Sequence, residues 1–159
     1  MDQLINWIAQ SGIHRWIAES PFWFPYPFMI ALHSMGMGTI VGLSVAVDLR
    51  ILGATSGLPL APMASYFPVM WLGLAVNAIT GVGLFINSPE LLVNWDMWIK
   101  LIFLALALLT LRTIRAKVFG GSNPDKGPLP ENARLLAGAS IFFWAGTVVA
   151  GRMTAYLGS

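Results

Sequence analysis

Cysteine is absent from this chain of 159 residues, which excludes disulfides, thiolate metal sites, iron–sulfur clusters and cysteine nucleophiles. Charge is scarce: nine basic and seven acidic side chains make up 10% of the sequence, where soluble domains carry roughly 25%. The formal net charge of +2 comes without a basic cluster interleaved with stacking aromatics, which speaks against nucleic acid as a partner. No GxSxG, HExxH, Walker A or GxGxxG pattern occurs, and no carboxylate pair lies inside an apolar segment. These absences argue against catalysis by this chain alone.

What is present is apolar. Hydrophobic residues reach 57% and aromatics 12%, with seven Trp and a mean hydropathy of +0.72. Sixteen charged side chains cannot cover the surface of a soluble fold of this size, so the solvent of this chain is a lipid bilayer. A hydrocarbon core of about 30 Å needs roughly 20 helical residues. Four segments meet that requirement, at about 28–47, 66–86, 97–115 and 135–157. The expected fold is all-α: an integral membrane bundle of four transmembrane helices over residues 21–159, preceded by an interfacial amphipathic helix over residues 1–20. Pro21, Pro25 and Pro27 separate the two parts, and the stretch from Gly120 to Glu131 is the one long linker.

In the first twenty residues Leu4, Ile5, Trp7, Ile8, Trp16 and Ile17 alternate with Asp2, Gln3, Gln10, His14, Arg15 and Glu19. This pattern is too broken for a span and lacks the basic start and small-residue cleavage site of a signal peptide. A helix lying on the membrane, bent at Ser11-Gly12, fits it, with Trp23, Phe24 and Tyr26 as an aromatic belt. Arg50, Arg112, Arg115, Lys117, Lys126 and Arg134 fall on one side of the membrane, and Arg15, Lys100 and Arg152 on the other. Six against three places the long loop in the cytoplasm and both termini outside.

With that topology His33, roughly 8–10 Å below the outer surface at 1.5 Å per residue, shares the outer third of the bilayer with Lys100, about one turn into its span, and Arg152, five residues before Leu157. Buried ionisable groups are costly in lipid and face a bundle interior or a wet cavity, so a shared site is expected. A cationic pocket suits haem propionates, a quinone carbonyl or a lipid phosphate. For Lys100 and Arg152 the plain alternative is snorkelling to the interface; for His33 it is a packing hydrogen bond. Asp96 is the nearest candidate counter-charge.

Haem b needs axial imidazoles, a flat slot and basic partners. His33 is the candidate metal ligand, His14 the only other histidine, and Lys100, Arg152 and Arg15 the candidate propionate partners. Gly36 is expected to leave room for the ring. Copper fits poorly: Met37 shares the His33 face, but Met35 points about 160° away.

Ser34, Gly38, Gly42 and Ala46 recur every four residues, with Gly38–Gly42 forming a GxxxG, and Gly73, Asn77 and Gly81 repeat the spacing. Such strips let helices approach closely, within the chain, between copies, or with other membrane subunits. On a helical wheel Gly42 lies 180° from His33, so the strip is expected on a different face from the site. Asp48 is expected to meet another helix or a cytoplasmic lysine, and not Arg50.

The runs Ile30-Ala31-Leu32-His33-Ser34-Met35-Gly36 and Val47-Asp48-Leu49-Arg50-Ile51-Leu52-Gly53 resemble those of a family of small four-span bacterial inner-membrane proteins. Ile79-Thr80-Gly81, Trp98-Ile99-Lys100, Trp144-Ala145-Gly146 and Ala150 to Tyr156 are similar to that pattern too. The resemblance implies a fold and a membrane address, without an activity, and singles out His33, Asp48, Arg50, Thr80, Lys100 and Arg152. The helix carrying His14 departs from it. Two functions are expected from these features together: a membrane subunit of an electron-transfer complex binding haem b or quinone, or a structural subunit with lipid at the cationic site.

Overall fold

The computed structural model describes residues 2–12, 14–15, 25–89, 93–121 and 124–157. Trp16, Ile17, Glu19, Pro21, Trp23 and Phe24 lie outside the described residues. Helix α1 runs Asp2–Ala9, and four long helices follow: α2 Pro25–Leu52, α3 Tyr66–Asn87, α4 Trp95–Val118 and α5 Ala133–Leu157. All four are long and apolar enough to cross a membrane, and no strand occurs among the described residues. The chain is an all-helical, multi-pass bundle.

Local chemistry explains where the helices begin and end. Pro25 and Pro27 sit in the first turn of α2, where the missing N–H has no helical partner to lose. The helix continues past the apolar segment through Asp48 and Arg50, because hydropathy marks the membrane-crossing length and not the last hydrogen-bonded turn. It stops at Gly53, whose φ of +95° lets its amide reach Arg50 O and the Ala54 amide reach Leu49 O. That pair of bonds is a Schellman closure, which favours glycine because a Cβ is strained at positive φ. After α1, the chain turns at Gln10 and Ser11, and the Ser11 hydroxyl accepts from the His14 amide at 3.2 Å.

The bundle consists of two antiparallel pairs, α2–α3 and α4–α5, joined through α2 and α5, with α1 against α3. Between 17% and 33% of each span is buried inside the protein, so most of each helix surface faces outward. Exposed Leu72, Ile79, Leu109, Leu135 and Val149 make that surface apolar, as lipid requires.

Packing is uneven along the bundle axis. Ile40, Val47 and Ile51 of α2 meet Phe67 and Met70 of α3, Leu111 and Ile114 of α4, and Ala137 and Trp144 of α5 in one core. All of these lie in the half nearest the interhelical loops. There the Phe67 ring meets the edge of Phe119 at 5.1 Å and carries the Arg115 guanidinium at 5.5 Å. In the other half, nearest the chain ends, α2 and α3 stay together while α4 and α5 leave a cavity.

Candidate functional site

The α2–α3 contact is made by small residues. A Cβ on Gly36 would lie 2.7 Å from Gly73 O, and one on Gly73 would lie 3.1 Å from Gly36 O. The backbones therefore touch, and Asn77 Nδ2 crosses the contact to donate to His33 O at 2.8 Å. Gly36 thus has no room for a ligand ring, contrary to the expectation from its size alone. A glycine signals close approach equally well to a ligand or to another backbone, and here the backbone occupies the space.

The same contact orients His33. Its Nδ1 lies 3.1 Å from Thr80 Oγ1, and Gly81 leaves space for the imidazole edge. Thr80 has one hydroxyl proton, directed to Val76 O at 2.7 Å with Asn77 O at 3.2 Å. The hydroxyl must then accept from His33, so Nδ1 carries a ring proton, and in the neutral imidazole the lone pair is on Nε2. Nε2 has no hydrogen-bond partner among the described residues.

His33 lines a cavity of about 500 Å³ bounded by α2, α4 and α5, within the range of small-molecule sites. Lys100 of α4 and Arg152 of α5 line it too, with Met37, Val41, Thr147 and Val148. The structure therefore brings together all three residues that share a depth in the sequence reading. Lys100 lays its stem against Gly151, whose position would place a Cβ 3.5 Å from Lys100 Cε. Lys100 forms no hydrogen bond or ion pair with another described residue, so Asp96 is not its counter-ion here.

Gly38 and Gly42 border the same cavity, and nothing lies within 4 Å of a Cβ built on either. On a helical wheel Gly42 lies on a different face from His33. The cavity is wide enough to span that half-turn, so the GxxxG faces open space while Gly36 and Gly73 make the helix contact. Gly146 of the fourth span packs on the Phe103 ring of α4.

His14 and Arg15 are not brought to this site. His14 Nδ1 donates to Ile86 O at the end of α3, at 3.0 Å, and Arg15 reaches Gln10 O at 3.4 Å. Met35 is 68% exposed, pointing away from the His33–Met37 side as its helical angle requires. No cluster of three metal-ligating His or carboxylate side chains occurs among the described residues. Thr147, Val148 and Gly151 escaped the sequence reading. Their signal is a polar-and-small face on the fourth span at spacing three to four, which in lipid marks packing and cavities alike.

No family model, curated protein or solved structure matches this chain. What the site does has to be argued from its own chemistry.

Proposed function

We propose that this chain is a membrane subunit of an electron-transfer complex that binds a quinone in the cavity between α2, α4 and α5. The observation that carries this reading is His33, oriented by Thr80 through Nδ1, in one cavity with Lys100 and Arg152. A quinol hydroxyl donates to Nε2, while an ammonium or guanidinium donates to a carbonyl oxygen gaining negative charge. Gly38 and Gly42 leave a bare strip of backbone for a flat ring. Met37, Val41 and Val148 supply apolar walls for the ring and its tail. The lysine and arginine bias supports an outer-leaflet cavity with both termini outside, and the family resemblance supports a bacterial inner membrane. In intact cells an impermeant thiol reagent then labels Gln3→Cys and spares Lys126→Cys; the reverse pattern inverts this topology.

Haem b is a second reading, favoured by the same Nε2. Imidazoles that bind iron donate their other ring N–H to a fixed acceptor, as His33 does to Thr80. Bound haem supplies one-electron transfer. His33 would hold the iron, and Lys100 and Arg152 would hold the propionates. His14 donates to the α3 end instead, so a second imidazole has to come from another subunit or a second copy.

Purification with partners retained, followed by solvent extraction and an absorption spectrum before and after dithionite, tests these readings. A quinone that copurifies with the wild type and is lost in His33→Ala supports the first. A Soret band that shifts on reduction replaces it with haem. Phospholipid alone, with a featureless visible spectrum, leaves a structural subunit with lipid at the cationic site.

A further inference from the structure

Beyond the cavity the α2–α5 seam closes over a second polar cluster. On α5, Thr147 and Gly151 line the cavity, and Trp144 and Ser140 continue the same face toward the loops at spacings of three and four. On α2, Val41 borders the cavity, and Ser44 and Asp48 follow at the same spacings. Ser44, Asp48, Ser140, Trp144 and Thr147 are all at most 1% exposed.

Two of these five have their polar atoms engaged. Thr147 donates to Phe143 O at 2.9 Å, and Ser44 donates to Met70 Sδ at 3.8 Å. Asp48 Oδ2, Ser140 Oγ and Trp144 Nε1 are buried without a hydrogen-bond partner among the described residues. Ser140 neighbours the Asp48 carboxyl from α5, and no charged side chain acts on it from any packed element. Arg50, two residues on, is turned to Leu58 O, and Arg134 at the start of α5 is exposed. A polar atom enclosed without a partner costs about 1–3 kcal/mol, more if it is charged. The carboxyl and the Ser140 hydroxyl lie side by side on facing helices, with Trp144 one turn along α5, and each of the three enclosed atoms needs a partner.

We propose that Asp48, Ser140 and Trp144 form a proton-binding site within the bundle, in which the carboxyl takes up one proton and a water molecule links it to the indole. The step is COO⁻ plus H⁺ giving COOH, with no electron transferred. A protonated carboxyl is donor and acceptor at once, which matches a hydroxyl that is also both. The water accepts from Trp144 Nε1–H, a group that can only donate. A metal cation fits worse, because it needs a cage of oxygens. Here one carboxyl and one uncommitted hydroxyl are at hand, and the third enclosed polar group, an indole N–H, is not a metal ligand. The site does not depend on what the cavity binds.

Infrared difference spectroscopy on the full chain in lipid bilayers tests this. A protonated-carboxyl C=O band is expected that bleaches as pH rises through the range where buried carboxyl groups titrate. The band is lost in Asp48→Asn and shifted in Ser140→Ala and Trp144→Phe, so the assignment survives if one variant fails to fold. A band absent at every pH at which the bundle stays folded overturns the proposal. So does a band that never bleaches, or one that bleaches when sodium is added at fixed pH, which would make the site a metal site. Quinone content unchanged in Asp48→Asn is expected, which keeps this test separate from that of the cavity.

Discussion

The imidazole of His33 on α2 donates through Nδ1 to the hydroxyl of Thr80 on α3, at 3.1 Å, and this one bond sets which ring nitrogen serves the cavity. Because Thr80 spends its own proton on Val76 O, the pair has a single direction. Thr80→Val removes the acceptor and frees the imidazole to rotate and to change tautomer. A neutral hydrogen bond contributes about 1 kcal/mol net, so occupancy of the cavity ligand should weaken roughly fivefold. Thr80→Ser should retain it. Equal occupancy in Val and Ser variants, measured as ligand per protein after purification, would sink the orienting role.

Gly36 and Gly38 are two residues apart and should respond oppositely to the same change. Gly36→Ala drives a Cβ to 2.7 Å from Gly73 O, against backbone that cannot swing away. Overpacking of this kind costs about 1–3 kcal/mol, and the α2–α3 pair should unfold at lower denaturant in detergent. Gly38→Ala meets nothing within 4 Å and, as alanine in a helix interior, should raise stability slightly while trimming the cavity. Similar unfolding midpoints for the two variants would contradict this helix contact.

His33→Ala and Arg152→Ala remove two linings of one cavity from two different helices. If one ligand touches both, the single losses should not add, since either variant already empties the site. Ligand content of both singles and the double variant is the measurement. Strictly additive losses mean that Arg152 only snorkels.

At the loop end, Asp125 grips the connection between α2 and α3. Its carboxylate accepts from the Leu60 amide at 2.7 Å and the Ala61 amide at 2.9 Å. The Ala61 amide first, then the Leu60 amide, hold its carboxyl below the usual carboxylate range, with a smaller contribution from the Arg50 charge. A depressed folded-state value means the grip is fully present above the unfolded value, about 3.9, and fades as pH falls through the folded one. Exchange protection of the Leu60 and Ala61 amides, corrected for intrinsic rates, should persist at neutral pH and drop only in stronger acid. Asp125→Asn, with one acceptor oxygen for two donors, should lower that protection already at neutral pH. Protection that fades near neutral pH in the wild type would refute the assignment.

The membrane-spanning character, the number of long helices and their rough limits were legible in the sequence, because each helix must satisfy its own backbone in lipid and be apolar over a bilayer's thickness. Those are local requirements, read one segment at a time. The common depth of His33, Lys100 and Arg152 was legible for the same reason, since depth depends on distance along a helix. What lies beside what was not. Gly36, Gly38 and Gly42 are indistinguishable as glycines, yet Gly36 touches the backbone of α3 while the other two face the cavity. The neighbour of Asp48 could be narrowed to another helix, but that it is Ser140 depends on how α2 and α5 rotate against each other. Rotation and tilt are set by side-chain packing between helices, and the bundle closes at the loop half and opens at the other because its large apolar side chains concentrate there. Composition and spacing determined the solvent, the helices and the depth of the polar groups; only the packing of helix on helix decided which of those groups meet.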